Sequence, residues 1–229
     1  VFPELVPAAI TTADQTICWN SDPGDLKAEA ATGGSGVGYS YQWQTSTDST
    51  HWSDVTGGTS LTLSPGYLQQ TTWYLLITSD DGAPEGQVKD TSSVVKITVR
   101  DPFTPSVIST TAGETTICSD TQPELTATPT TGGSGPPYRY QWQASTDDGN
   151  TWTDAGTANE GAEPDNLIPP EGLTGDTKFR LIAFDLGTPG CGASFSANEV
   201  TIIVQDPVTA GTIAGDQTIC HGSVPATIT

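Results

Sequence analysis

Along this chain apolar and polar residues alternate one by one and never settle into a helical period. Tyr39, Tyr41 and Trp43 are interleaved with Ser40, Gln42 and Gln44, and Tyr138, Tyr140 and Trp142 with Arg139, Gln141 and Gln143. A period of two marks a strand with one buried face, here an aromatic one. Further strand-like runs cover residues 61–63, 72–78 and 94–99, with matches at 177–183 and 200–204. Gly, Pro, Asp and Asn punctuate the runs, as turns require.

The elements come in sets. Thr16-Ile17-Cys18 recurs as Thr116-Ile117-Cys118 and as Thr218-Ile219-Cys220, so the cysteines stand 100 and 102 residues apart. Between the first two lie Thr32-Gly33-Gly34-Ser35-Gly36 and Thr131-Gly132-Gly133-Ser134-Gly135, then Tyr41-Gln42-Trp43-Gln44 and Tyr140-Gln141-Trp142-Gln143. Ser46-Thr47-Asp48 and Ser145-Thr146-Asp147 follow, and each unit closes on a Val/Ile run ending in Asp-Pro. Solenoid repeats are much shorter than this, so the period means whole domains in tandem. About seven short strands per unit, with a central Trp, predict an all-β chain of tandem immunoglobulin-like β-sandwich domains. The expected division is residues 1–9 as the tail of a preceding repeat or a linker, 10–102 and 103–207 as two repeats, and 208–229 as the start of a third.

Charge narrows the partners. Seven Lys+Arg against 27 Asp+Glu give a net charge of −20, which repels phosphate backbones and anionic membrane surfaces. Charged residues are only 15% of the chain, too few for an acidic disordered tail. No apolar run approaches the roughly 18 residues that span a bilayer. Methionine is absent, and the chain reads as a piece of a longer polypeptide. Cys118 precedes the second strand of its unit and Cys191 lies in the loop before the last strand. The expectation is a Cys118–Cys191 bridge at one end of that sandwich, and hence an oxidising compartment; the alternative is free thiols. The first unit has no cysteine in 80–90, which leaves Cys18 free, and Cys220 is expected to pair beyond the fragment.

The string Thr-Ile-Cys, Thr-Gly-Gly-Ser-Gly, Tyr-Gln-Trp-Gln and Ser-Thr-Asp-x-x-x-Trp resembles the tandem Ig-like repeats of giant surface adhesins of gliding bacteria. These are substrates of type IX secretion, SprB-like proteins among them. The resemblance covers both full repeats and the opening of the third. It implies an exported bacterial cell-surface filament that contacts substrata and polysaccharides, and it brings no catalytic residues. Similar repeats are also fused to secreted enzymes.

Several motifs have two readings. Residues 145–152 match an Asp-box, familiar from sialidase propellers, but without the several blades a propeller needs the pattern reads as a hairpin in which Asp and Gly supply turn conformations. The two histidines, His51 and His221, stand at unrelated places and build neither a Ser-His-Asp set nor a zinc site, so no enzyme is expected. Asp101 and Glu114 flank the first junction, and Asp206 and Asp216 the second. They are calcium candidates if carboxylates of adjoining domains share an ion, and otherwise solvated turn residues. The candidate ligand-binding site is an outward sheet face. Aligning Thr72 with Thr177 places Trp73, Leu75 and Ile77 outward in the first unit and Lys178 and Arg180 in the second. Gln42, Gln44 and Arg139 stand on the neighbouring strands. Such a face could grip a sugar or a protein partner, or be covered by loops and by Lys and Arg stems.

The expected function is a non-enzymatic segment of an exported adhesin or filament, binding multivalently through neighbouring repeats of the same chain. The alternatives are a spacer array on a secreted carbohydrate-active enzyme and a self-assembling fibre subunit.

Overall fold

The computed structural model describes residues 2–227 apart from 84–87, 119–120, 170–172, 207, 213 and 215, and every regular element among them is a strand. The first domain contains β1 (Ala9–Ile10), β2 (Gln15–Ile17), β3 (Leu26–Glu29), β4 (Tyr39–Ser46), β5 (Ser53–Asp54), β6 (Thr62–Leu63), β7 (Thr72–Asp80), β8 (Val88–Thr91) and β9 (Val95–Val99). One sheet has the order β1-β3-β6; the other runs β2-β9-β7-β4-β5, with β8 also paired to β7. β8 and β9 are two halves of one last strand. At the break Ser92 holds Leu76, its hydroxyl accepting the Leu76 N–H (2.9 Å) and its N–H donating to the Leu76 carbonyl (3.0 Å).

The second domain repeats the plan with β10 (Ile108–Thr110), β11 (Thr116–Cys118), β12 (Leu125–Ala127), β13 (Tyr138–Ser145), β14 (Thr153–Gly161), β15 (Thr177–Asp185), β16 (Ala193–Phe195) and β17 (Val200–Gln205). Its large sheet has the order β11-β17-β15-β13-β14, with β16 on β15. β10 pairs with β12, and Leu167 bridges Leu125 where β6 stands in the first domain. The chain is thus an all-β pair of tandem Ig-like sandwiches.

The alternation along the sequence builds both cores. Trp43, Tyr74, Leu76, Val95 and Ile97 face Ala8, Leu26 and Leu63 in the first domain. Tyr138, Tyr140, Trp142, Phe179, Leu181 and Ile202 face Ile108, Leu125 and Leu167 in the second. Each central Trp is buried, so its indole N–H needs an acceptor. Trp43 donates to the Ser60 carbonyl (2.8 Å) and Trp142 to that of Asp165 (2.9 Å).

One expectation changes here. Residues 5–8 are not the tail of a preceding repeat: Ala8 lies in the first core, Val6 bridges Thr32, and the Ala8 N–H donates to the Thr78 hydroxyl (2.9 Å). In the second domain β14 runs nine residues, although its small polar sequence has no apolar alternation; β13 templates it across a bulge between Tyr140 and Trp142.

In both domains one short strand runs parallel to the last strand. β2 pairs with β9 (Ile17 opposite Val99) and β11 with β17 (Cys118 opposite Gln205). This puts each Thr-Ile-Cys motif at the trailing pole of its domain, beside the residues that leave it.

Candidate functional site

The outward sheet face exists in both domains, but its side chains are largely occupied. In the first, β4 and β7 set Ser46 opposite Trp73, Gln44 opposite Leu75 and Gln42 opposite Ile77. Leu75 is only 9% exposed although it belongs to neither core, so its outward neighbours cover it and no open three-residue apolar patch forms. Trp73 and Ile77 are half-buried, and the Lys96 ammonium stands 5.3 Å from the Trp73 ring centroid. The Gln44 amide donates to Asp54 Oδ1 (2.8 Å), and the Gln42 amide to the carbonyls of Trp43 and Val55.

In the second domain the same positions carry cations, each with a partner. Arg180 lies between the rings of Trp152 and Phe195, at 4.1 and 4.4 Å from their centroids, and donates through Nε and Nη2 to Gln143 Oε1. Gln143 in turn donates to Asp154 Oδ1 (3.0 Å). Lys178 pairs with Asp148 (2.7 Å), and Arg139 stacks on Phe184 at 4.3 Å. The Arg and Lys stems cover the sheet while their heads are anchored. The structure groups Arg139, Lys178 and Arg180 on one face but spends much of their binding capacity internally.

The Asp-box segment is a turn clamp. Asp147 accepts the hydroxyl and N–H of Thr151 and the hydroxyl of Ser145, which together lower its pKa to about 2. In the shorter first hairpin Asp48 accepts the His51 N–H, the His51 imidazole and the Thr50 N–H, and these hold it well below the usual carboxylate range.

A second carboxylate pair was missed from the sequence. Asp80 ends β7 and is buried; it accepts the Ser35 hydroxyl, the Ser35 N–H (2.7 Å) and the Gly82 N–H (3.2 Å), which depress its pKa. Asp185 is its counterpart at the end of β15. Burial would raise its pKa, but the Ser134 hydroxyl and the N–H groups of Gly187, Cys191 and Ser134 outweigh that and lower it. The carboxylate thus ties the Thr-Gly-Gly-Ser-Gly loop to the loop between the last two long strands. Gly132, at φ 85°, lets the arriving linker pass: a Cβ there would lie 1.8 Å from the Pro102 carbonyl oxygen.

These two loops form the leading pole of the second domain, and the trailing pole of the first meets them. The Gly133 N–H donates to the Asp101 carbonyl (2.9 Å), and Arg100 Nη2 to the Thr188 carbonyl (3.0 Å). The disulfide lies here, and it is not the expected one: Cys18 of the first domain is bonded to Cys191 of the second, while Cys118 and Cys220 are free and exposed. The physical reason is position. Cys118 pairs with Gln205 at the trailing end of the last strand, whereas Cys191 precedes Ala193, which pairs with Phe184 at the leading end. At 3.3 Å per residue, roughly 30 Å of strand separates them. Cys18 stands beside Arg100, whose N–H donates to the Ile17 carbonyl (2.9 Å), and so reaches the next domain directly.

The four calcium candidates, Asp101, Glu114, Asp206 and Asp216, are all exposed. Among the described residues no three His, Cys, Asp or Glu side chains are grouped as for a metal ion.

Among solved structures the chain is similar in fold to a marsupial T cell receptor, at 11% identity over 92% of this chain and 76% of that one, with a TM-score of 0.47. The fibronectin(III)-like modules of Clostridium thermocellum CbhA align at 13% identity over 87% and 94%, with a TM-score of 0.34. A 1.5-MDa bacterial ice-binding adhesin aligns at 11% identity over 92% and 68%, with a TM-score of 0.41. No curated protein matches the chain. One family model, that of the domain of unknown function DUF8696, matches residues 7–101 and again 107–206, and the chain therefore belongs to that family in both of its repeats.

Proposed function

We propose that this chain is a non-enzymatic segment of a long exported cell-surface adhesin, in which tandem Ig-like domains present repeated weak sites to polysaccharide or protein surfaces. The observation that carries the reading is the covalent junction. Two sandwiches joined by a disulfide suit an oxidising, extracellular setting, where a string of domains must keep its geometry without cellular upkeep. The contact surface in this reading is the rim of the outward face in the first domain, where Trp73 and Ile77 keep partial exposure beside Gln42 and Gln44. An aromatic ring flanked by amides suits the apolar face and hydroxyls of a sugar. Weak single contacts gain strength by repetition along the chain. The finer assignment, a gliding adhesin carried by type IX secretion, follows from the motif resemblance.

Binding to polysaccharide-coated beads tests the site. Trp73→Ala should reduce retention and leave the melting curve nearly unchanged; undiminished retention removes this face. Antibody against the chain should label unpermeabilised source cells. Label found only in the medium would overturn the cell-surface assignment.

A further inference from the structure

Cys118 is the second-domain counterpart of Cys18. Cys18 directly follows β2 and Cys118 ends β11, each strand runs parallel to the last strand of its domain, and the last strands lead into Asp-Pro at 101–102 and 206–207. Cys18 is bonded to the domain that follows it; Cys118 is exposed and free. The bond that exists joins one domain through its trailing thiol to the leading loop of its successor, and not to its own loop. Cys18 is the only cysteine before residue 118, so it has no partner within its own domain.

We propose that Cys118 is the attachment site for a cysteine in the leading loop of the third repeat, whose opening motif Thr218-Ile219-Cys220 is already present. That partner cysteine should stand one repeat length beyond Cys191. The chemistry is thiol–disulfide exchange with a small-molecule disulfide such as oxidised glutathione. The Cys118 thiolate attacks the glutathione disulfide and releases one glutathione thiolate. The loop thiolate then attacks Cys118 Sγ in the mixed disulfide and releases the second. Two protein thiols are oxidised, one glutathione disulfide is reduced, and the two protons lost by the protein thiols end on the two released glutathione thiolates. The inference depends on the junction geometry and not on what the chain adheres to.

Alkylation without reduction, followed by peptide mapping, tests it. In the 229-residue chain Cys118 should be alkylated while Cys18 and Cys191 are protected. In the chain extended through its complete third repeat and oxidised with glutathione, Cys118 alkylation should be lost. A cross-linked peptide should then join Cys118 to the third repeat's leading loop. Cys118→Ser in that longer chain should expose one newly alkylatable thiol in the loop and leave Cys18–Cys191 intact. The proposal is overturned if Cys118 stays alkylatable in the longer chain, if it links two copies of the chain, if it pairs with Cys191, or if the third loop carries no cysteine.

Discussion

Replacing both Cys18 and Cys191 with serine should do more than lower stability; it should divide one unfolding transition into two. The bond closes a span of 173 residues, which the chain-entropy relation values at about 5 kcal/mol against the fully unfolded chain. The half-unfolded states are penalised almost as heavily. With the first domain folded, Cys18 is held beside Arg100, so unfolding the second domain still closes a loop of roughly 90 residues, for about 4.5 kcal/mol. Unfolding only the first domain closes roughly 80 residues, at about the same figure. The two single penalties together exceed the joint penalty by about 4 kcal/mol, and that excess is coupling between the domains. Differential scanning calorimetry measures it. The oxidised chain should show one transition with equal calorimetric and van't Hoff enthalpies; the double variant should show two transitions, or a ratio approaching two. Even half the ideal value moves a melting temperature by about 10 °C. A variant that melts in one transition at the oxidised chain's temperature would refute the reasoning.

Three smaller perturbations test the supporting contacts. Asp185→Ala removes the acceptor of the Ser134, Gly187 and Cys191 N–H groups and should destabilise the second domain by about 2–4 kcal/mol in urea titration; an unmoved midpoint contradicts the clip. Gly132→Ala forces a Cβ against the Pro102 carbonyl at positive φ and should cost about 1–3 kcal/mol, whereas Gly135→Ala, also at positive φ but with open space around it, serves as the strain-only control. Asp147 should titrate by carboxyl carbon NMR near pH 2. Because its folded pKa is depressed, the stability it contributes is full above its unfolded value and is lost as pH falls towards 2; a midpoint near 3.8 would show the clamp open.

Much of the fold could be read from the residues, because the aromatic alternation at 39–43 and 138–142 reports directly which face of β4 and β13 is buried. The 100-residue spacing of the Thr-Ile-Cys motifs likewise pointed to Ig-like domains in tandem, because a motif recurring over that distance outlasts any hairpin. β14 could not be read this way, since Thr153–Gly161 has no face to bury and is held by its neighbour's backbone. The outward direction of Leu75 was legible and its covering was not, because covering depends on side chains distant in sequence. The disulfide was misassigned by pairing cysteines within a unit. The parallel pairing of β11 with β17 sends Cys118 to the far pole, and a parallel strand pair leaves little trace in local sequence. A usable signal for the clip was present: Asp80 and Asp185 recur at the ends of matching strands, in step with the recurring Gly-Gly-Ser.

The Cys18–Cys191 bond also sets the shortest covalent path through the protein. That path follows the chain to Cys18, crosses the sulfurs and resumes at Cys191, leaving the residues between them as a side loop. If the two ends are pulled apart, both sandwiches can unravel without delivering that loop as length. At about 3.5 Å per extended residue, some 600 Å of slack stays locked away. As a tether the protein can lengthen only by its outer residues, 1–17 and 192–229, and a tug on the span between the cysteines is passed on through sulfur instead of being absorbed by unfolding.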